Sequence, residues 1–125
     1  MPESAVDRLL ASARAGIAPR VTVDQLAGVV ATGGIVIDTR PVELRTKDGA
    51  MEGAFVVDRN VLEWRLDPTG DHRLADVTGP DQQVVVVCDE GYASSLAALS
   101  LRALGLRRAT DLVGGYQAWL ISRPG

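Results

Sequence analysis

The sequence predicts an α/β domain in which a small parallel β-sheet is flanked by helices on both faces. Short apolar runs of strand length alternate along the chain with longer segments of helical periodicity. The four consecutive valines at 84–87 are apolar on both faces, as in a strand buried on both sides of a parallel sheet. With 125 residues, 46% of them hydrophobic and 23% charged, the chain is long enough for one core and too apolar to be disordered.

The first half of the chain predicts three helices and two strands. Apolar residues recur at helical spacing before Gly16, and Thr22 to Gln25 has the form of a capping box. Pro41 suits the first turn of a helix. The predicted elements are helices over residues 4–15, 22–30 and 41–45, and strands over 35–38 and 53–57. Residues 1–20 are expected to form a helical extension of a single domain that spans 1–125.

The second half continues the alternation. Asn60 to Glu63 resembles a capping box, residues 71–81 lack periodicity, and the valine strand leads into a Leu- and Ala-rich run that stops at Gly105. These patterns predict a helix starting at Asn60, a surface loop, the strand 84–87 with its helix, a brief strand over 111–113, and a last helix after Gly114-Gly115.

The only cysteine, Cys88, lies between the valine strand and the helix that follows it. The unpaired N–H groups and the positive dipole end of that helix face the sulfur and favour the thiolate, which is the nucleophilic form. Gly91 permits a positive φ, so that successive N–H groups can form a nest for an anion. The alternative is that Cys88 is an inert, buried, small hydrophobic residue.

Composition excludes several other functions. The net charge is −3 with scattered basic residues, which does not suggest a nucleic-acid or anionic-membrane partner. No apolar run is long enough to span a membrane, and the N-terminus does not resemble a secretory signal. One cysteine and one histidine provide neither an internal disulfide nor a zinc site. We expect a cytoplasmic protein without a cofactor or metal; its oligomeric state does not follow from the sequence.

Several short segments carry a resemblance to a known family. They are Asp38-Thr-Arg40 at a predicted strand end, Gly49 to Ala54, the Cys88 loop, and Gly114-Gly115-Tyr-Gln-Ala-Trp119. In this order, the sequence from Val21 to Leu120 resembles the rhodanese-like sulfurtransferases. The resemblance implies that Cys88 lies at the base of a six-residue loop, takes sulfur from a donor such as thiosulfate, and passes it on from a persulfide. Asp38 and Arg40 are expected to brace the strand end as a structural pair.

The loop departs from the family pattern, which usually reads Cys-x-x-Gly-x-Arg. Gly91 is in place, but Ala93 stands where the arginine is expected, and Asp89 and Glu90 fill the second and third positions. The usual histidine of the Gly-His-Ile-Pro-Gly-Ala segment is replaced by Ala50. We therefore expect the nucleophile and the backbone cradle to be retained, and side-chain recognition of a small oxyanion to be lost.

The carboxylates of Asp89 and Glu90 and the missing arginine disfavour thiosulfate as the donor. A carboxylate roughly 6 Å from a dianionic donor repels each of its charges by about 0.7 kcal/mol in water and about 2.8 kcal/mol at an effective dielectric constant of 20. Loss of an arginine contact costs roughly another 1.5–3 kcal/mol. We expect another sulfur donor: a neutral or cationic small molecule, or a persulfide delivered by a partner protein. An equal alternative stays open, in which Asp89 and Glu90 are solvated loop acids that point away from the site.

Further residues near Cys88 complete the predicted site. Tyr92 either walls the pocket or, more commonly for an aromatic residue at a helix start, packs under the helix. Ser94 and Ser95 are predicted to cap that helix. Arg59 and Arg65 are candidates for the positive charge that the loop lacks, and a surface ion pair is favoured for Arg65. His72 is expected to be exposed.

The predicted site comprises Cys88 as the catalytic residue and, as substrate-binding residues, Asp89, Glu90, Gly91, Tyr92, Ala93, Ser94 and Arg59.

Two alternatives to a sulfurtransferase remain open. One is a non-enzymatic module of the same fold that binds a partner or a small anion, which a buried and unreactive Cys88 would favour. The other is a phosphatase of the same fold class, which uses a loop one residue longer that ends in arginine. Ser94 occupies that longer position, so neither loop length provides the guanidinium that a phosphate needs, and this alternative ranks last.

Overall fold

The structure, a computed structural model, describes residues 3–124. Within this range the helices are α1 (Ala5–Gly16), α2 (Leu26–Ala31), α3 (Val42–Asp48), α4 (Leu62–Leu66), α5 (Ala93–Ala103) and α6 (Gly115–Ser122). The strands are β1 (Ile35–Asp38), β2 (Phe55–Val56), β3 (Val84–Val87) and β4 (Ala109–Asp111). Short 3₁₀ turns at Val23–Gln25 and Arg59–Val61 lead into α2 and α4.

The four strands form one parallel sheet in the order β2-β1-β3-β4. The last residue of β1, Asp38, pairs with Val87 at the end of β3, and Val86 pairs with Asp111 at the end of β4. Because the strands are parallel, these ends meet at one edge of the sheet, where Cys88 follows β3. The predicted α/β fold with a small parallel sheet is confirmed.

The sheet is buried on both faces, which explains the unbroken run of valines. All four residues of β3 are fully buried, and alternate side chains belong to different core clusters. Val84 and Val86 pack with residues of α4 and α5, whereas Val85 and Val87 pack with residues of α2 and α6. This is the sequence pattern expected of a parallel strand covered by helices on both sides.

Several predicted boundaries are wrong by a few residues. The strand expected over 53–57 is limited to Phe55–Val56, the one expected over 111–113 is Ala109–Asp111, and the helix expected to end at residue 45 continues to Asp48. The helix cap expected at Asn60 is instead Asp58, whose carboxylate accepts a hydrogen bond from the Asn60 N–H at 2.8 Å. A pairing partner decides where a short strand ends, and sequence periodicity does not contain that information.

Helix α1 lies against α5 although most of its apolar residues stay exposed. Ser4 and Asp7 form a capping box at its start, and only Ala13 is buried within it. Arg102 of α5 donates hydrogen bonds to the carbonyls of Ile17 and Ala18, just beyond the end of α1. The segment before β1 is therefore fixed to the body of the protein. No helix among residues 3–124 is long and apolar enough to cross a membrane.

The Gly114-Gly115 turn holds the Cys88 loop against the start of α6. The Tyr116 N–H donates to the Cys88 carbonyl at 2.9 Å, and the Gln117 N–H donates to the Asp89 carbonyl at 3.0 Å. A Cβ atom on Gly115 would lie 2.6 Å from the Cys88 carbonyl oxygen, and Gly115 has φ +62°. Only glycine allows this close approach in this backbone conformation.

Substitution of Gly115 by alanine should therefore destabilise the protein. The positive φ costs about 1–2 kcal/mol for a residue with a Cβ, and the contact with the Cys88 backbone adds to that cost. We expect Gly115→Ala to lower the free energy of unfolding in urea by at least about 2 kcal/mol. Gly28→Ala is the matched control, since Gly28 lies inside α2 with open space around it. This control should raise the stability by about 0.5–1 kcal/mol; equal effects would contradict the role given to Gly115.

Candidate active site

Cys88 lies at the end of β3 with its side chain buried, its exposed fraction being 8%. Its Sγ accepts hydrogen bonds from the backbone N–H groups of Gly91 at 3.1 Å and Ser94 at 3.3 Å. Gly91 has φ +89°, and a Cβ there would lie 2.9 Å from the Gly114 nitrogen. The loop therefore curls around the sulfur and aims N–H donors at it, which stabilises negative charge on sulfur.

A cavity of about 280 Å³ opens at Cys88. It is lined by Thr39, Arg40, Pro41, Leu44, Arg59, Cys88, Asp89, Glu90, Tyr92 and Ala93. Most of its surface is apolar, and Ala93 stands in its wall at the position where the family pattern has arginine. Within the loop that follows Cys88, the backbone N–H groups of Asp89, Glu90, Tyr92 and Ala93 donate to no acceptor among residues 3–124. The loop thus keeps hydrogen-bond donors available for a ligand.

The two loop acids differ in their surroundings. Asp89 is half-buried, and its Oδ1 accepts a hydrogen bond from the side-chain amide of Gln117 at 3.0 Å, the same amide that reaches Asp48. Glu90 is exposed and has no side-chain hydrogen bond within the described chain. Asp89 is thus anchored to α6, while the Glu90 carboxylate is left to solvent at the edge of the cavity.

Arg59 lines the cavity but is already paired. Its Nη1 lies 3.0 Å from Glu63 Oε2, and its side chain is 43% exposed. Partial burial of Glu63 raises the pKa of that carboxyl, but hydrogen bonds from Ser100 and Arg59 and the charge of Arg59 outweigh it and hold the pKa below its ordinary value. Arg65, predicted to form an ion pair, instead donates to the His72 carbonyl at 2.6 Å, and His72 is exposed as predicted.

Arg40 and Asp38 form the buried structural pair that the sequence predicted. Arg40 Nη2 lies 2.9 Å from Asp38 Oδ2 and donates also to the Gly49 carbonyl. The guanidinium carbon lies 3.5 Å from the centre of the Tyr116 ring. Arg40 Nη1 is buried without a hydrogen-bond partner within residues 3–124, and its stacking on the aromatic face compensates part of that cost.

Ser94 and Ser95 do not cap α5 as predicted. Both are fully buried in its first turn, and both hydroxyls lie within hydrogen-bond distance of Asp111 Oδ2, at 2.8 and 2.7 Å. The Cys88 thiol lies 3.2 Å from Ser94 Oγ and donates to it. The cap prediction fails because the N-cap position is Tyr92, so both serines lie inside the helix, where their hydroxyls donate to the buried carboxylate of the neighbouring strand. Asp111 itself was predicted only as the start of a strand.

Two arginines that the sequence analysis did not single out contact the back of the loop. Arg14 Nη2 donates to the Gly91 carbonyl at 2.7 Å, and Arg20 Nη2 donates to the same oxygen at 3.2 Å. Arg20 also forms an ion pair with Asp111, with Nε 2.7 Å from Oδ1. No local motif marks these residues, since their partners lie more than 70 positions away along the chain.

Tyr92 takes the first of its two predicted positions. Its side chain is 58% exposed and lines the cavity, and it does not pack under α5. The guanidinium of Arg14 lies 5.7 Å from the centre of its ring. The favoured alternative of an aromatic residue packed under the helix is therefore wrong.

Comparisons with known proteins agree with this architecture. The model of the rhodanese-like domain family matches residues 22–122. Comparison with curated proteins finds no match. Among solved structures, a protein of unknown function from Rhodopseudomonas palustris, called a possible tyrosine phosphatase, is 26% identical with a TM-score of 0.79; the match covers 95% of this chain and 93% of that one.

Two further solved structures are similar. The human single-domain sulfurtransferase TSTD1 is 24% identical with a TM-score of 0.69, over 86% of this chain and 99% of that chain. A rhodanese homologue from Thermus thermophilus is 28% identical with a TM-score of 0.56, over 78% and 96% of the two chains. The family match extends over most of the sequence and includes the Cys88 loop. The chain therefore belongs to the rhodanese-like domain family.

Proposed function

We propose that the protein is a sulfurtransferase that carries sulfur as a Cys88 persulfide and takes it from a donor other than thiosulfate. The Cys88 thiolate attacks the outer sulfur of an organic persulfide, R–S–SH. The S–S bond of the donor breaks, a new S–S bond forms at Cys88 Sγ, and the released R–S⁻ takes up a proton. A thiol or thiolate acceptor then attacks the outer sulfur and leaves Cys88 as the thiolate.

The observation that carries this proposal is the set of N–H donors around a single sulfur nucleophile. The N–H groups of Gly91 and Ser94 already bind Sγ, and those of Asp89, Glu90, Tyr92 and Ala93 have no protein acceptor. A persulfide carries its negative charge one atom further from the protein than a thiolate does. Donors held ready in the cavity wall can stabilise that charge without a side-chain cation.

The cavity favours an organic donor over a small dianion. Its apolar wall is formed by Pro41, Leu44, Tyr92 and Ala93, which suit a carbon skeleton. The two arginines among the lining residues are already engaged, Arg40 by Asp38 and Arg59 by Glu63. Thiosulfate would therefore meet the exposed carboxylate of Glu90 without a free guanidinium to compensate for it. We propose that Arg59 can still bind an anionic group of the organic donor. To do so, it would exchange its exposed ion pair with Glu63 for that group.

One observation favours a second candidate, a non-catalytic binding module. The Cys88 side chain is mostly buried, and its sulfur already has three hydrogen-bond partners within the protein. We do not propose phosphatase chemistry, because Ser94 stands where the longer loop would need arginine and its side chain is buried against Asp111.

Turnover with two donors separates these candidates. We expect the purified protein to transfer sulfur from glutathione persulfide to cyanide, and to do so far faster than from thiosulfate, because the persulfide has an organic body that suits the apolar wall and lacks the sulfonate group of thiosulfate. Thiocyanate formation measures both reactions. Cys88→Ser should abolish the protein-dependent rate with either donor. Equal rates for the parent protein and Cys88→Ser would leave the binding module as the better account.

Restoring the loop arginine should restore thiosulfate activity. Ala93 is exposed at the start of α5, so Ala93→Arg can place a guanidinium in the cavity without burying it. We expect thiosulfate:cyanide turnover to rise about tenfold or more, equivalent to about 1.4 kcal/mol of transition-state binding. Glu90→Gln in the same chain should increase the gain.

Ala103→Arg is the matched control for this experiment, since Ala103 is exposed at the opposite end of the same helix. It should leave thiosulfate turnover unchanged. If Ala93→Arg folds normally and behaves like Ala103→Arg, the charge of the loop does not determine which donor the protein uses.

A further inference from the structure

The segment before the family-matched region is joined to the Cys88 loop by partly buried polar contacts. Arg14 lies on α1 and Arg20 follows it, and both precede residue 22, where the family match begins. Both donate hydrogen bonds to the Gly91 carbonyl, and Gly91 presents its own N–H to Cys88 Sγ. Two guanidinium groups on one carbonyl fix the Gly91–Tyr92 peptide and thereby hold Gly91 in position beside the sulfur.

A second route connects Arg20 to Cys88. Arg20 donates to both carboxylate oxygens of Asp111, from Nε at 2.7 Å and from Nη2 at 3.2 Å. Asp111 is completely buried, and its Oδ2 lies 2.8 Å from Ser94 Oγ. Ser94 Oγ in turn lies 3.2 Å from Cys88 Sγ. The order of contacts is therefore Arg20, Asp111, Ser94, Cys88.

The Ser94 hydroxyl has one proton and two neighbours that can accept it. When Cys88 is a thiol, its S–H donates to Ser94 Oγ and the Ser94 O–H donates to Asp111. When Cys88 is a thiolate, the Ser94 O–H can turn to the sulfur instead. Asp111 tolerates this loss because Arg20 and the Ser95 hydroxyl still donate to it. A carboxylate without Arg20 would compete for the same proton far more strongly.

We propose that Arg20 is a positioning residue that acts through Asp111, so that the Ser94 hydroxyl is free to stabilise the Cys88 thiolate. Arg14 assists by holding Gly91, and it forms no ion pair within residues 3–124, which leaves a net positive charge behind the loop. The charge that the loop lacks at Ala93 is thus supplied from behind by the N-terminal segment. This inference rests on Cys88 being the reactive group of the proposed function.

The charged and titratable groups packed around Cys88 come from several elements. They are Asp89, Glu90 and Tyr92 in the loop, Arg40 and Arg59 across the cavity, and Arg14, Arg20 and Asp111 behind the loop. Of these, Asp111 contacts Ser94 directly and Arg20 contacts Asp111 directly, whereas Arg14 reaches Asp111 only through Ser95, to whose Oγ its Nε donates at 3.2 Å. The effects of substitutions at Arg20 and Ser94 on the sulfur should therefore be coupled, whereas the cavity residues should act independently.

The test is the rate at which iodoacetamide alkylates Cys88 in the full chain as a function of pH, which requires no sulfur transfer. Arg20→Met and Ser94→Ala should each lower the rate at pH 7 about tenfold or more, while rates at about pH 10 match the parent protein because the thiol is ionised there in every variant. The double variant should lose less than the product of the two single losses, because only the Gly91 contact of Arg20 reaches the sulfur without passing through Ser94. Arg8→Met, on the exposed part of α1, is the matched control and should react like the parent.

Two results would overturn the proposal. One is an Arg20→Met profile that coincides with that of Arg8→Met. The other is a double variant whose loss equals the product of the two single losses, because Arg20 would then act independently of Ser94. If Arg20→Met does not fold, Arg20→Lys replaces it, since lysine keeps a charge near Asp111 but cannot also bind Gly91, and it should react at an intermediate rate. If the alkylation rates of all variants follow these expectations but the parent protein does not turn over a persulfide, the proposed function alone is contradicted.

Discussion

A buried carboxylate at the end of β4 organises the surroundings of Cys88. Asp111 is completely buried, and burial of an unpaired charge would cost several kcal/mol. Arg20 and the hydroxyls of Ser94 and Ser95 compensate for it, and these partners come from the N-terminal segment and from the first turn of α5. Because Asp111 requires all of them in one place, it ties the start of α5 to β4. The loop between β3 and α5 is then held at both ends.

The distribution of charge around this loop is unusual for a site that would bind an oxyanion. Positive charge lies behind the loop, on Arg14 and Arg20, where it contacts the Gly91 carbonyl and not the cavity. The mouth of the cavity carries the Glu90 carboxylate and apolar side chains. Positive charge behind the loop favours negative charge on the sulfur and fixes Gly91, whose N–H binds the sulfur, but it cannot form direct contacts with a sulfonate group in the cavity. The positive charge is thus separated from the cavity. This arrangement agrees with stabilisation of the Cys88 thiolate and with a donor that is not a small dianion.

Much of the fold followed from local patterns in the sequence. The valine run, the Asp38–Arg40 pair and the glycines at 91, 114 and 115 each predicted a feature that the structure contains, because each depends on neighbours close in sequence or on backbone conformation alone. The roles of Arg14, Arg20 and Asp111 did not follow. These residues act on the loop through contacts between distant segments, and no periodicity records such contacts. For the same reason the sequence predicts Ser94 and Ser95 as helix caps, although they lie inside the first turn and donate to Asp111.

The most direct test of the account is the intact mass of the protein after purification without reductant and brief exposure to an organic persulfide. Cys88 should gain the mass of one sulfur atom, dithiothreitol should remove it, and cyanide should remove it as thiocyanate. Cys88→Ser, treated in the same way, should gain nothing. A folded parent protein that gains no sulfur under these conditions would contradict the claim that Cys88 is a sulfur carrier.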